Sequence, residues 1–294
     1  MNSMKQRLGT PSGIPHWHFT MLRDTERNGG IESSIANLDL TGKTVVEIGT
    51  GIGLPAMLFA KYGAAHVYTC EMDVNLAAIA REVVRENGYD KRITVIPKTS
   101  RAAIRDGDLR REPDIIFTET LDCGVVGEGF ATIAEDVRQL AGTNTQVLPD
   151  HVRQFGYLCC DTAAHEKNTV KSENGLDLSG INCFSKQTYF AINPALHSPA
   201  RLSPVFRVRD YDYRNADCLV DRTIALIATQ SGTCHGMISY FDATFGDFLI
   251  STVSEKSHWA QAFHPLKRPV SLTAGSRYVA RITAAGTLRL DETI

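Results

Sequence analysis

Glu119 and Glu128 stand nine residues apart in the stretch Thr118-Glu119-Thr120-Leu121-Asp122-Cys123-Gly124-Val125-Val126-Gly127-Glu128-Gly129. Two carboxylates that converge on one pocket raise each other's proton affinity unless a cation lies between them. A guanidinium is a good candidate for that cation, because its planar fork suits bidentate carboxylate contacts. Taken alone, two glutamates in a loop read as solvated surface residues. Their place in the chain adds weight. Glu119 follows the apolar run Asp114–Thr118, and open α/β sheets bind their ligands beyond the carboxyl ends of strands.

A second cluster begins at Glu47-Ile48-Gly49-Thr50-Gly51-Ile52-Gly53-Leu54-Pro55. Glycines at alternate positions let a chain turn sharply after a strand and leave no Cβ where a ligand must approach. Twenty residues past Gly51 comes Glu71, an acid able to accept hydrogen bonds from both hydroxyls of a ribose. Two cofactors fit. Gly51-x-Gly53-x-x-Ala56 matches the dinucleotide fingerprint, in which a helix N-terminus holds a pyrophosphate. The register Glu47-x-Gly49-x-Gly51-x-Gly53 suits S-adenosyl-L-methionine better. That molecule has no phosphate for an acid to repel, and its amino group is one an acid can bind.

The elements that must position these groups follow from hydrophobic pattern. Thr44–Ile48, Ala65–Cys70, Arg92–Ile96, Asp114–Thr118 and Thr145–Leu148 read as strands. Leu54–Tyr62, Val74–Asn87 and Ala131–Leu140 read as the helices between them. Such alternation predicts a parallel sheet covered on both faces. Before it, His16–Ala36 has a helical pattern that Asn28-Gly29-Gly30 should break, and residues 1–15 should fray. Beyond Pro149 the segments Val152–Cys160, Val205–Tyr211, Leu219–Thr229, Thr233–Thr244, Pro269–Leu272 and Tyr278–Thr283 are short and rich in β-branched and aromatic residues. They predict an antiparallel barrel or sandwich. Residues 161–204 resemble neither half.

Composition narrows the function. The chain has 294 residues, long enough for two domains, and 31 Lys+Arg against 33 Asp+Glu leave a net charge of −2. A nucleic-acid partner usually demands a basic surplus, so none is expected. No run approaches the roughly 20 apolar residues of a membrane span, and the N-terminus has no secretory pattern. Seven cysteines without a C-x-x-C pair suit reduced thiols in a cytoplasmic protein without a metal site.

One further signal, Ser257-His258-Trp259, stands alone; a lone histidine is usually structural and a lone tryptophan usually core. The order of all these motifs, however, resembles the protein arginine methyltransferases. His18-x-x-Met21-Leu22-x-Asp24-x-x-Arg27 is similar to that family's N-terminal pattern. Glu47–Gly53 resembles its cofactor loop, Glu71 its ribose acid, Glu119 and Glu128 its double-glutamate loop, and Ser257-His258-Trp259 its Thr-His-Trp loop with Ser for Thr. The second half looks most like the branch that makes only monomethylarginine.

The resemblance implies a Rossmann-like domain that binds S-adenosyl-L-methionine over residues 31–149, a segment covering the cofactor over 1–30, and a β-barrel-like substrate domain over 150–294. A dimerisation arm at 161–204 would make the chain a homodimer. His18, Arg27, Glu71, Met72 and Ser100 would join Glu47, Gly49, Gly51 and Gly53 around the cofactor. Glu119 and Glu128 would hold the guanidinium, Asp24 would pair with His258, and Met21 and Trp259 would wall the pocket. An arginine side chain is a poor nucleophile because its lone pairs are delocalised into the cation. Two carboxylates on one side would leave the far nitrogen relatively electron-rich and aligned with the methyl donor.

Two departures from the family pattern concern the substrate. Only Trp17 and a Gly/Pro-rich stretch precede His18, and Thr120-Leu121-Asp122 stands where the family's loop usually carries tryptophan. The altered rim, with Asp122 and Cys123, points to free L-arginine, as in small bacterial enzymes of nitrosourea antibiotic biosynthesis. An arginine-containing peptide or protein is the alternative substrate. A catalytically silent cofactor-binding scaffold is the alternative of another class; it would have no need of Glu119, Glu128 and His258.

Overall fold

The computed structural model describes residues 13–196, 198–254 and 257–292. The fraying expected of residues 1–15 falls mostly outside them. Two short helices come first among the described residues, α1 (Trp17–Leu22) and α2 (Thr25–Ala36). The break between them falls at Arg23-Asp24, not at Asn28-Gly29-Gly30 as the sequence suggested. The Asp24 side chain accepts from the Arg27 N–H at 2.9 Å, and such a cap starts a new helix. The glycines serve packing instead. A Cβ on Gly30 would come within 3.1 Å of Ile250.

The βα alternation follows as read. The strands β1 (Thr44–Ile48), β2 (His66–Cys70), β3 (Ile93–Ile96), β4 (Ile115–Thr118) and β5 (Gln146–Leu148) form one parallel sheet in the order β3-β2-β1-β4-β5. Val45, Val46 and Ile116 are completely buried, each stabilising the sheet by roughly 1.5–3 kcal/mol. The helices between strands are α3 (Leu54–Lys61), α4 (Val74–Glu86), α5 (Ser100–Asp106) and α6 (Phe130–Leu140). In α4, Asp73 caps the first turn and Leu76, Ala77, Ala80 and Val84 make the buried stripe, a spacing that keeps one helical face on the sheet. Only α5 escaped the sequence reading.

Strand order reverses between β1 and β4. Ile48 pairs in register with Cys70 on one side and Thr118 on the other. The three following residues, Gly49, Glu71 and Glu119, therefore leave the sheet at one edge, the switch point where α/β folds bind ligands.

Past Pro149 the chain is antiparallel. β6 (His151–Cys160), β7 (Gly232–Phe245) and β8 (Gln261–Leu272) form the middle of a seven-stranded sheet, and a three-stranded sheet covers a second core of Leu158, Val208, Met237, Leu272 and Tyr278. β8 is longer than the Pro269–Leu272 segment legible in sequence. Residues 161–204 are also less separate than expected, since Phe190–Ile192 pairs with β8 and Ala200–Arg201 with β6. The first core runs on into this half through Val152, Phe241, Phe245, Ile250 and Trp259. Among the described residues, no helix is long and apolar enough to cross a membrane, and no group of three or more His, Cys, Asp or Glu side chains could hold a metal ion.

Candidate active site

The loop after β1 is built by backbone geometry. Gly49, Gly51 and Gly53 take φ of 91°, 54° and 89°, a region L side chains rarely enter. A Cβ on Gly49 would also come within 2.8 Å of the Thr120 methyl, so the glycine loop and the glutamate loop touch where any side chain would part them. Glu71 ties the loop to the next strand. One of its oxygens accepts from the Gly51 N–H at 2.9 Å, and the other from the Asp73 N–H at 3.0 Å. Both Glu71 oxygens therefore stand at the carboxyl edge of the sheet, beside the glycine loop.

Glu47 lies beneath this loop and is completely buried. One oxygen accepts from the Thr69 hydroxyl, which lies 2.6 Å from that of Thr50. The other oxygen has no partner. Burial pushes the Glu47 carboxyl up to about 8, with the neighbouring Glu71 charge adding to the effect.

The N-terminal motif arrives from the other side. Arg27 is buried, and its guanidinium pairs with the Glu119 carboxylate and donates to Asn28 at 2.7 Å. It also lies 5.7 Å from the Trp259 ring centre. His18 is buried against Trp17, the ring centres 3.7 Å apart, and its Nδ1 has no partner. Desolvation lowers its pKa, while Asp73 partly opposes the fall.

Asp24 and His258, 234 positions apart, meet at the same place. One Asp24 oxygen accepts from the His258 N–H at 2.9 Å and lies 3.0 Å from the His258 Nδ1. Burial opposes ionisation of Asp24, but the N–H groups of Arg27 and His258 and the His258 ring outweigh it and hold the carboxyl below its ordinary value. For His258, desolvation outweighs the pull of Asp24 and lowers the pKa, which favours the neutral ring. With Nδ1 donating to Asp24, the neutral ring carries its lone pair on Nε2. Trp259 donates through Nε1 to the Leu121 carbonyl at 2.6 Å and packs edge-on against Phe241. It thereby roofs the glutamate loop from the antiparallel half.

Glu128 ends that loop, just before α6. Its side chain is exposed, while desolvation by the surrounding protein, reinforced by the charges of Glu119, Asp122 and Glu71, pushes its carboxyl up to about 7. Arg27, paired with Glu119, is the cation that partly offsets this rise.

The remaining candidates are placed differently. Asp122 accepts from the backbone N–H groups of Gly124 and Gly127 at 3.2 and 2.9 Å, so it shapes the loop from within. Cys123 is buried beside Tyr189 and Ala262, and its thiol is pushed up to about 12 by burial. Met21 is half-buried, and Met72 is exposed directly after β2. Ser100 is buried and donates to Asp136 at 2.6 Å, joining α5 to α6. Sequence reasoning missed Thr69, Asn28 and Tyr189. Thr69 had a signal, as a polar residue on a buried strand beside Glu47; the other two had none.

No protein-family model matches the chain. An arginine N(omega)-methyltransferase of Streptomyces achromogenes subsp. streptozoticus is 34% identical over 276 residues, covering 92% of this chain and 76% of that protein. Protein arginine N-methyltransferase 9 of Mus musculus is 24% identical over 294 residues, and the chain spans only 34% of its length. In three dimensions the chain is similar to the Trypanosoma brucei PRMT1 enzyme–prozyme complex with AdoHcy, with a TM-score of 0.77, 22% identity, and coverage of 95% of this chain and 96% of that one. The parallel sheet, its glycine loop and the antiparallel half thus have the architecture of that structure. The 34% identity over 92% of the chain with the Streptomyces enzyme leaves one assignment: the chain belongs to the arginine N-methyltransferase family.

Proposed function

We propose that the chain transfers a methyl group from S-adenosyl-L-methionine to a guanidino nitrogen of free L-arginine and stops at monomethylarginine. The observation that carries this reading is the convergence of Glu119, Glu128, Asp24, His258 and Trp259 on one sheet edge beside a glycine loop. The cofactor assignment is supported by the polar atoms left over there. His18 Nδ1, Arg27 Nε and Glu47 Oε1 are buried without partners, an arrangement that costs free energy unless a ligand completes it. Arg27 would hold the cofactor carboxylate, Glu47 its amino group, and Glu71 its ribose hydroxyls, with His18, Met72 and Ser100 towards the base. When bound, the cofactor supplies an electrophilic methyl on a sulfonium.

The chain's own residues do the rest. Once Arg27 exchanges Glu119 for the cofactor carboxylate, Glu119 and Glu128 hold the substrate guanidinium from one side and draw its positive charge towards themselves. This fixes the opposite nitrogen for in-line attack, a proximity effect. Trp259 and Met21 wall off water. The methylated product carries one proton in excess. Glu128, with its carboxyl near 7, or the Nε2 lone pair of His258 held by Asp24, takes it up.

Free arginine is favoured over a peptidyl arginine by the loop itself, where Thr120 and Asp122 replace bulk and Cys123 is buried. Incubation with labelled cofactor, free L-arginine and an arginine-containing peptide, read by mass spectrometry, tests the reading. Labelled monomethylarginine from the free amino acid supports it. Labelled peptide alone would move the substrate to protein arginine, and no labelled methylarginine would end the proposal. We further propose a cytoplasmic homodimer docked through residues 161–204, supported by the exposed Leu176, Ile181 and Phe184 on that segment; light scattering of the purified chain reads the subunit count.

A further inference from the structure

Tyr189 lies in the 161–204 segment, outside every motif above, yet its ring is driven into the glutamate loop. It is buried at 6% exposure, and its hydroxyl donates to Asp122 at 3.2 Å. Asp122 is the hub of that loop, because the same oxygen accepts from the Gly124 and Gly127 N–H groups. The ring occupies space that only glycines leave open. A Cβ on Gly124 would come within 2.2 Å of it, and one on Gly286 within 2.7 Å.

The far side of the ring is fixed as well. It lies 5.3 Å from the His264 ring, which is held between the Ser239 hydroxyl and the Gly286 carbonyl, each at 2.8 Å. Between Gly124 and Gly127 the loop keeps Val125 fully buried at φ 76°. A β-branched residue persists in that region only when its surroundings over-determine it. Glu128 follows directly, so whatever holds residues 122–127 also sets where its carboxylate stands.

We propose that Tyr189 is a positioning residue for methyl transfer, clamping the glutamate loop through Asp122 so that Glu128 faces Glu119. The proposal rests on the activity reading above. It also joins residues 161–204 to the substrate side of the cleft by a single side chain.

Tyr189→Phe removes one hydroxyl and leaves the ring that fills the cavity. Amide exchange of Gly124 and Gly127 then quickens about tenfold, and kcat falls about tenfold, as a small misplacement of a reacting group commands. The Kd for S-adenosylhomocysteine and the thermal midpoint hold. In an Asp122→Ala background the same substitution has no further effect, since the two act as one unit. Unchanged exchange, unchanged kcat, or additive losses in the double variant would each overturn the clamp. A parent chain that methylates neither free L-arginine nor an arginine-containing peptide would overturn the activity reading instead, while the exchange data still decide whether Tyr189 holds the loop.

Discussion

The two sides of the cleft are held in different ways. On the cofactor side, the glycine loop and Glu71 are set by neighbours in sequence and by the strand register, with Ile48 opposite Cys70 and Glu71 bonded to Gly51 twenty positions earlier. On the substrate side, local bonds within the glutamate loop are joined by distant anchors: Arg27 to Glu119 across 92 positions, Tyr189 to Asp122 across 67, Trp259 to Leu121 across 138, and His258 to Asp24 across 234. A local frame tolerates change elsewhere, whereas a frame of distant contacts passes damage on. Changes in the antiparallel half should therefore reach substrate turnover while sparing cofactor affinity.

The sharpest break of that contrast is Glu119→Gln. Turnover should fall on the order of 10³-fold, as when one group stabilising developing charge is lost. Titration with S-adenosylhomocysteine should change by less than about threefold on the same scale of one weakened contact. Equal loss of both would make Glu119 structural.

Next comes Asp24→Ala, which removes a helix cap and the His258 anchor together. A stability loss of about 1 kcal/mol is expected from the cap, with turnover down roughly a hundredfold from misplacement of the ring. Asp24→Asn, which keeps an acceptor, should restore most of the melting temperature.

The pH profile tests Glu128. Its folded carboxyl titrates at about 7, above the ordinary 4.5. Below pH 7 it carries a proton and no longer attracts a cation, so kcat/KM should fall on the acid side with a midpoint near 7. Glu128→Gln should abolish that limb, and a limb that survives would assign the ionisation to another group.

Gly49→Ala probes the local frame. The residue's φ of 91° and the Thr120 contact predict cofactor affinity down about tenfold at a stability cost of roughly 1–2 kcal/mol. Glu47 is tested through stability alone. Its folded carboxyl titrates at about 8 against an ordinary 4.5, so between those values the folded chain holds a proton that the unfolded chain has released. Stability therefore declines as pH rises from about 4.5 to 8, by at most about 1.4 kcal/mol per pH unit. Melting curves of Glu47→Gln should lack that slope.

The same contrast explains what was legible from the sequence. The residues of β1 were read to the end, because Val45, Val46 and Ile48 form an apolar run bounded by a glycine turn. Glycine spacing and Glu71 marked the cofactor side for the same short-range reason. The first half of β8 was hidden because His264, Pro265 and Lys267 interrupt its pattern, though His264 is buried against Ser239 on β7 and the Gly286 carbonyl in a turn. Asn28-Gly29-Gly30 looked like a break because the contact that uses Gly30, with Ile250, lies 220 positions away. The glutamate pair was visible only as two acids in a loop. Family resemblance, not periodicity, linked it to His258 and Trp259, and nothing in either pattern marked Tyr189.

The bond between Asp24 and His258 has a consequence for the order of assembly. A ribosome delivers the helix that Asp24 caps early, and the histidine that completes its cap more than two hundred codons later. All five parallel strands are made well before then, but Phe241, Phe245, Ile250 and Trp259, which complete the core beneath them, are not. The nascent chain thus carries its glycine turn long before it can either pack that turn or grip a substrate, and a polypeptide interrupted short of the antiparallel half should do neither.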